Sequence, residues 1–508
     1  MFKRCRLLIA VLSVAAGLNA VTDDQYRPYG VNNWFWDMTS IQQFKWGKIY
    51  NGRIMVCWRV MEPEKGRYVM DTDVDMAMFM HGARIANKHA NKPFRYSLCI
   101  YDSPEWARAD KNRVLSFKAK DFAEFTVAVL KYCDSIAPGV VFAVEVENEH
   151  PTGTWLDKGP DYGTDQRDPS WYFADILRET YRAVKAYNKD ILVVMDSIWS
   201  EAYHHLDELY QLGLKDYFDR INVHYYTEDY TQDSPAPNDK TRMLHFPTTM
   251  KYLKYIAESR GDGGKPVWLT EYGWRKAGEK KKAEYFTYVT DCCRKLGFVE
   301  MVYYYVGMTE KKQYAGYDPM AMIWYDTLRD PKYRDDERHH REWGAPAGFE
   351  HSATFLAHKA YAEKYPVWSM KPEPVDIIPP ATKTPVLKGT DFIGKAFSAP
   401  AEKVTDPFPV ETGRLYEVRA KVKVSGPVFN GIHCRPDITF LAAGQPIGGV
   451  GNYWGVVSTE RYPDGVREIL FPCVPSVGAT EAVVKFIAEG NGTVQVLDVS
   501  VKPLDLTR

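Results

Sequence analysis

The sequence predicts an α/β protein: a (β/α)8 TIM barrel followed by a C-terminal all-β sandwich of jelly-roll type. Three observations point there. Short apolar strands alternate with helical stretches from about residue 28 to 368, and eight such strands can be picked out. A Pro-rich segment then interrupts the chain, and beyond it the texture changes to short alternating runs broken by Gly and Pro. An open doubly wound sheet is the runner-up. It would want a Gly-rich phosphate loop after its first strand, and none stands there.

The strands are expected at 29–36, 53–60, 95–101, 140–148, 191–198, 220–226, 266–274 and 300–306. Helices are expected between them, among others at 119–135, 170–187, 247–259 and 279–295. The domain plan is a signal peptide over 1–20, the barrel over 21–370, a Pro-rich linker or wrapping strap over 371–385, and the sandwich over 386–508. The N-terminus carries the basic "MFKRCR" and then a short apolar run, as secretory signals do; the expectation is a secreted or periplasmic protein. No later run reaches about 18 apolar residues, so no membrane span is expected.

Of 508 residues, 65 are Lys or Arg and 66 are Asp or Glu, so no basic field exists to attract nucleic acid. Eight scattered cysteines leave seven once Cys5 departs with the signal, which is not a disulfide framework. Cys57 and Cys99 sit in apolar strands and read as buried thiols, while Cys434 and Cys473 are candidates for one bridge. No zinc-type Cys/His spacing occurs, and no cofactor is expected. Oligomeric state is not legible.

In such a barrel the strand ends face the active site. Strand 4 ends in Asn148-Glu149, strand 7 in Glu271, strand 6 in His224 and Tyr226, strand 2 near Arg59, and strand 8 in "YYYVG". Glu149 and Glu271 are carried by strands on opposite sides of the mouth. A pair of carboxyl groups so placed suits acetal cleavage, in which one protonates the leaving oxygen and the other attacks the anomeric carbon.

"VENEH" and the later "LTEYGW" resemble the clan A retaining glycoside hydrolases. "WRVMEPEKGRYVMDTDVD" (58–75) and "SPEWA" (103–107) are similar to glycoside hydrolase family 39 and neighbouring β-glycosidases, over roughly residues 29–310. The resemblance implies that Glu149 is the acid/base and Glu271 the nucleophile. It implies that Asn148 bonds the sugar hydroxyl beside the anomeric carbon, that Tyr226 or His224 holds the nucleophile, and that Arg59 lies near Glu271. Oligo- or polysaccharide would be the substrate. Two departures stand out: Asn-Glu-His-Pro replaces Asn-Glu-Pro, and Tyr303, Tyr304 and Tyr305 stand where many members place a sugar-platform Trp.

Other readings compete. Glu145 is expected one layer deeper in the barrel, paired with an arginine such as Arg59, because a buried unpaired charge is costly. Glu147 is expected behind the site. Trp34, Trp155, Trp274 and Tyr304 are candidates for sugar contact; Trp36, Trp106 and Trp199 also lie near strand ends, and each of these tryptophans can equally be core. The histidine pairs at 204–205 and 339–340 read as solvated surface rather than metal ligands. The sandwich resembles carbohydrate-binding modules, with Tyr453 and Trp454 as candidate contacts, and buttressing of the barrel is the plain alternative. For the whole chain the alternatives are a non-catalytic glycan-binding protein on a degenerate barrel and a metal-dependent barrel hydrolase.

Overall fold

The structure, a computed structural model, describes residues 28–32, 38–70, 76–88, 93–108, 118–149, 169–199, 203–226, 245–275, 277–310, 320–327, 346–426, 432–451, 456–457 and 465–507. Residues 1–20, where a signal peptide is expected, and Trp34, Trp36, Trp155, the 339–340 pair, Tyr453 and Trp454 lie outside these residues, as do the side chains of Trp199 and His204.

Nine parallel strands form one sheet: β1 (Tyr29–Asn32), β2 (Asn51–Cys57), β3 (Arg95–Tyr101), β4 (Val141–Val146), β5 (Leu192–Val194), β6 (Ile198–Trp199), β7 (Ile221–Tyr225), β8 (Val267–Tyr272) and β9 (Val299–Tyr304). Strands β5 and β6 are the two halves of the expected fifth strand. The first half pairs with β4 and the second with β7, and a bridge between Val194 and Arg220 closes the ring. Because β1 pairs with both β2 and β9, no edge remains and the barrel has eight staves.

Helices α1 (Met38–Trp46), α2 (Met76–Asn87), α3 (Ala119–Ile136), α4 (Pro169–Tyr187), α5 (Tyr203–Gln211), α6 (Phe246–Ser259), α7 (Glu279–Leu296) and α8 (Ala353–Lys364) follow the staves in turn. Their apolar faces close on the outer faces of the strands, as in α3, where Phe122, Phe125, Val129 and Leu130 are buried. Inside the barrel the floor is Ala143, Val194, Trp268, Met301 and Tyr303. Above that floor the inward positions turn polar, which prepares the site.

A three-stranded sheet (Met308–Glu310, Ile323–Thr327, Pro346–His351) lies between β9 and α8 and was not foreseen. The C-terminal part is a two-sheet antiparallel sandwich. One sheet is centred on Tyr416–Ser425 and Thr493–Pro503, the other on Ile432–Ala442 and Glu481–Gly490. Alternation is plain in the first of these, where Val418, Ala420, Val422 and Val424 point inward. Cys434 and Cys473 are both buried free thiols, so the expected bridge is absent.

Residues 371–385 pack as a strap. Ile378 N donates to Thr248 Oγ1 at 3.0 Å, and His245 Nε2 reaches the Asp376 carbonyl at 2.9 Å. The sandwich then docks on α5 and α6. Arg260 bonds Asp207 at 2.6 Å and Glu468 at 2.8 Å; Arg467 pairs with Glu208; and Gln211 exchanges two hydrogen bonds with the Glu468 backbone at 2.9 and 3.0 Å. Leu415, Leu470, Leu504 and Leu506 join the barrel's own apolar cluster. Burial at this seam favours the buttress role for that face. One cooperative calorimetric transition is therefore expected for the full chain, and Arg260→Ala should lower its temperature.

Burial also sets a pH dependence. His358 on α8 packs edge-on against Tyr29 and Phe286, and desolvation lowers its pKa to about 3. Unfolded, it would titrate at its ordinary value of 6.5. The unfolded chain thus binds a proton that the folded one refuses, and stability falls as pH drops below 6.5 toward 3. Melting temperatures measured from pH 7 to 4 should fall, and His358→Phe should flatten the slope.

Candidate active site

The polar layer is organised around Arg53, at an inward position of β2 and wholly buried. Its Nε and Nη2 donate to Glu145 of β4 at 2.6 and 2.8 Å. Its Nη1 donates to Glu271 Oε1 of β8 at 2.7 Å and to Asn32 Oδ1 of β1 at 2.9 Å, while Nη2 also reaches Asn148 Oδ1 at 2.5 Å. Desolvation opposes its charge, but Glu145, Cys99 and Glu271 outweigh it and raise its pKa well above the ordinary value. A fork of donors is what lets one residue hold two carboxylates and two amides in register.

Arg59 does none of this. It lies past the end of β2 in a one-turn helix (Trp58–Met61), its side chain is 50% exposed, and it pairs with Asp102 at 2.8 Å. The expectation that Arg59 lies at Glu271 and Glu145 is corrected: β2 ends at Cys57, so the inward arginine is six residues earlier.

Glu271 reaches the mouth through a β-bulge. Val223 pairs with Leu269 but His224 pairs with Glu271, leaving Thr270 as the extra residue. Both Thr270 and Glu271 therefore serve the interior, which strict alternation forbids. Asn32 Nδ2 bonds the Thr270 carbonyl at 2.8 Å and fixes the bulge. Tyr226 OH donates to Glu271 Oε2 at 2.7 Å. Burial, and then Glu271 itself, push the Tyr226 phenol well above its ordinary pKa, so it remains a donor.

On the other side, β4 ends at Val146, and Glu147 and Glu149 adopt left-handed φ of 66° and 48°. Strict alternation, which would set Glu145, Glu147 and Glu149 on one face, breaks there. Glu145 points into the barrel. Glu147 is buried with Oε1 unpartnered, and desolvation followed by Asp102 raises its pKa well above the ordinary value. Glu149 is aimed across the mouth. Its backbone N–H is held by Ser197 Oγ at 3.0 Å, and its Oε1 lies 2.7 Å from His224 Nδ1. His224 is buried, and desolvation lowers its pKa to about 4, so at neutral pH this contact joins a neutral imidazole to a carboxyl group.

Glu149, Glu271 and His224 each bring one atom within 4.8 Å of the others. They do not fit a cation well. Arg53 already donates to Glu271, and His224 uses Nε2 on Thr270 Oγ1 at 2.9 Å and Nδ1 on Glu149. What the group can do is proton transfer on one side and nucleophilic attack on the other.

The expected sugar contacts divide. Asn148, His224 and Tyr226 converge with Glu149 and Glu271. Trp274 does not: it is buried against Tyr272 and Tyr285 outside the barrel. Tyr304 is likewise buried among Tyr272 and Phe286, because its position on β9 faces the helices. Of the tyrosines at 303–305, Tyr305 is the one beside the site, edge-on to Tyr226 at 6.3 Å. Gly273 keeps that approach open, since a Cβ there would lie 2.4 Å from the Tyr305 carbonyl oxygen. Trp106 anchors to the Glu62 carbonyl at 3.0 Å. His205 is buried on Asp196 at 2.9 Å, not solvated as expected.

Arg53, Asn32, Thr270 and Asn222 went unread in the sequence. The available signal was an arginine or an amide at inward parity within otherwise apolar strands. Replacing Arg53 by Met should destabilise the fold by about 3–5 kcal/mol by stranding Glu145. Arg59→Met should cost less than about 1 kcal/mol, measured alongside by urea unfolding.

No protein-family model matches this sequence, and no curated protein sequence matches it. Among solved structures, the chain is similar to a family 39 glycoside hydrolase from the gut symbiont Bacteroides cellulosilyticus WH2, at 14% identity, 92% of this chain, 82% of that one and a TM-score of 0.49. It is similar to a GH5_18 variant from Streptomyces cattleya in complex with Manβ1-4GlcNAc, at 13% identity, 68% and 83% coverage and a TM-score of 0.48. It is also similar to the hyperthermostable endo-1,4-β-D-mannanase of Thermotoga petrophila RKU-1, at 13% identity, 67% and 100% coverage and a TM-score of 0.45. At such identities and TM-scores these likenesses assign no residue roles.

Proposed function

We propose that this chain is a secreted retaining glycoside hydrolase that cleaves a β-linked glycan by double displacement. One observation carries the reading. Two carboxyl groups approach within 4.8 Å across the barrel mouth in opposite surroundings, Glu271 under two donors and Glu149 against a neutral imidazole. Retaining enzymes hold their carboxyl groups about 5–5.5 Å apart, whereas inverting ones need roughly 6.5–9.5 Å to admit a water.

In the first step a Glu271 oxygen bonds the anomeric carbon as the glycosidic C–O bond breaks. The leaving oxygen takes the proton from Glu149. In the second step Glu149, now a carboxylate, removes a proton from water. That water bonds the anomeric carbon and Glu271 departs, restoring both groups. Arg53 donates to Asn148 Oδ1 and so orients the amide that is the candidate partner of a sugar hydroxyl. Tyr305 offers a π face or edge near the sugar.

The test is hydrolysis of a panel of aryl α- and β-glycosides and of plant and host oligosaccharides. Wild-type turnover should survive EDTA. Glu271→Ala should lose at least about 10³-fold in kcat and regain turnover with azide, giving a glycosyl azide of inverted configuration. Glu149→Ala with azide should give the retained azide. Sugar binding without turnover by the wild type would favour the degenerate-barrel reading, and chelator-sensitive turnover that survives Glu271→Ala would favour the metal-dependent one.

A further inference from the structure

We infer that Asn222 and Thr270 are positioning residues that fix the tautomer of His224 and so keep a proton on Glu149. The catalytic consequence rests on the glycosidase reading; the tautomer does not. Asn222 Nδ2 lies 2.8 Å from Glu145 Oε1 and 3.3 Å from the Met195 carbonyl oxygen. Both neighbours only accept, because Glu145 is itself held by Arg53 through two donated bonds. The amide is therefore fixed with Oδ1 toward Thr270 Oγ1, 2.6 Å away. A carbonyl oxygen cannot donate, so the Thr270 hydroxyl spends its single proton there. Toward its remaining neighbour, His224 Nε2 at 2.9 Å, Thr270 Oγ1 can only accept. Nε2 thus carries the hydrogen.

Burial keeps the His224 ring neutral, with a pKa lowered to about 4, so Nδ1 presents a lone pair. Glu149 Oε1 stands 2.7 Å from that lone pair. An ionised carboxylate would set lone pair against lone pair; a carboxylic acid donates. Glu271 Oε2 is 3.6 Å from Nδ1, too far to take the place of that donor.

Each bond from Arg53 to Glu149 then has a fixed direction: Arg53 and Asn222 both donate to Glu145, Thr270 donates to Asn222, His224 to Thr270 and Glu149 to His224. The other arm of the same guanidinium donates straight to Glu271. One buried cation therefore donates directly to Glu271 and, through the relay, orients the lone pair that asks for a proton on Glu149. A proton on the acid/base is what a double displacement requires at its start.

The test compares wild type, Thr270→Val and Thr270→Ser. Valine keeps the shape and removes the hydroxyl; serine restores it. Folding of each is checked by urea unfolding. In histidine-labelled protein, 15N NMR should find Nε2–H at His224 in the wild type and in Thr270→Ser. Thr270→Val should shift it toward Nδ1–H, which donates to Glu149 and favours its ionised form. The basic limb of kcat/KM against pH should move down by about one unit in the valine variant and recover in the serine variant. Arg53, Glu145, Glu147, Glu271 and Tyr226 also surround the pair, but all remain in both variants, so the difference reports the relay. The loss on a glycoside with a poor leaving group should exceed that on a 2,4-dinitrophenyl glycoside, which departs without protonation, by about tenfold. An Nδ1–H tautomer in wild-type protein overturns the inference, whatever the activity. So does an active Thr270→Val protein with an unmoved basic limb and equal losses on both substrates. If the wild type turns over no glycoside, the glycosidase reading fails and the NMR result alone decides the relay.

Discussion

The charge of Arg53, buried inside the barrel, is the constraint from which the site follows. A guanidinium without water must find acceptors in its own plane, and it finds four residues on three staves: Glu145 and Asn148 from the chain of β4, Glu271 from β8 and Asn32 from β1. Those bonds fix the relative positions of strands distant in sequence. They also fix which way the neighbouring amides and hydroxyl point. Geometry and protonation at the mouth are thus two outcomes of one electrostatic requirement.

The floor and the rim divide the work. Below Arg53 the barrel is filled by the large side chains of Trp268, Met301 and Tyr303, packed against one another. Above it the strand ends depart from regularity. A bulge at Thr270 and left-handed residues at Glu147 and Glu149 turn carboxyl groups where an ideal strand would not carry them. Such departures cost backbone energy, and the hydrogen bonds of Asn32 and Ser197 to these segments hold them in place. The sandwich contributes from outside, by gripping α5 and α6 through Arg260 and Arg467.

Much of the fold was legible because periodicity reports burial directly. The expected helix at 279–295 is observed at Glu279–Leu296, and the expected strand at 95–101 at Arg95–Tyr101. The site was legible in part. Glu149, Glu271, Asn148, His224 and Tyr226 were found by reading strand ends in order, and they meet. Arg59, Trp274 and Tyr304 were named by the same rule and do not join them. A strand end located to within two residues cannot tell an inward side chain from an outward one, since parity reverses at every step. Tyr304 and Tyr305 differ by that single step.

The sequence by itself determined the order of elements, the eight-stave ring with a sandwich behind it, and the two strands that carry the paired carboxyl groups. These depend on local pattern and on which segments must be buried. Only the tertiary structure decided which arginine lies between those carboxyl groups, that Cys434 and Cys473 remain apart, and which way the Asn222–Thr270–His224 bonds run. Each depends on contacts between residues far apart in the chain, where a bulge of one residue or the turn of one amide changes the partner.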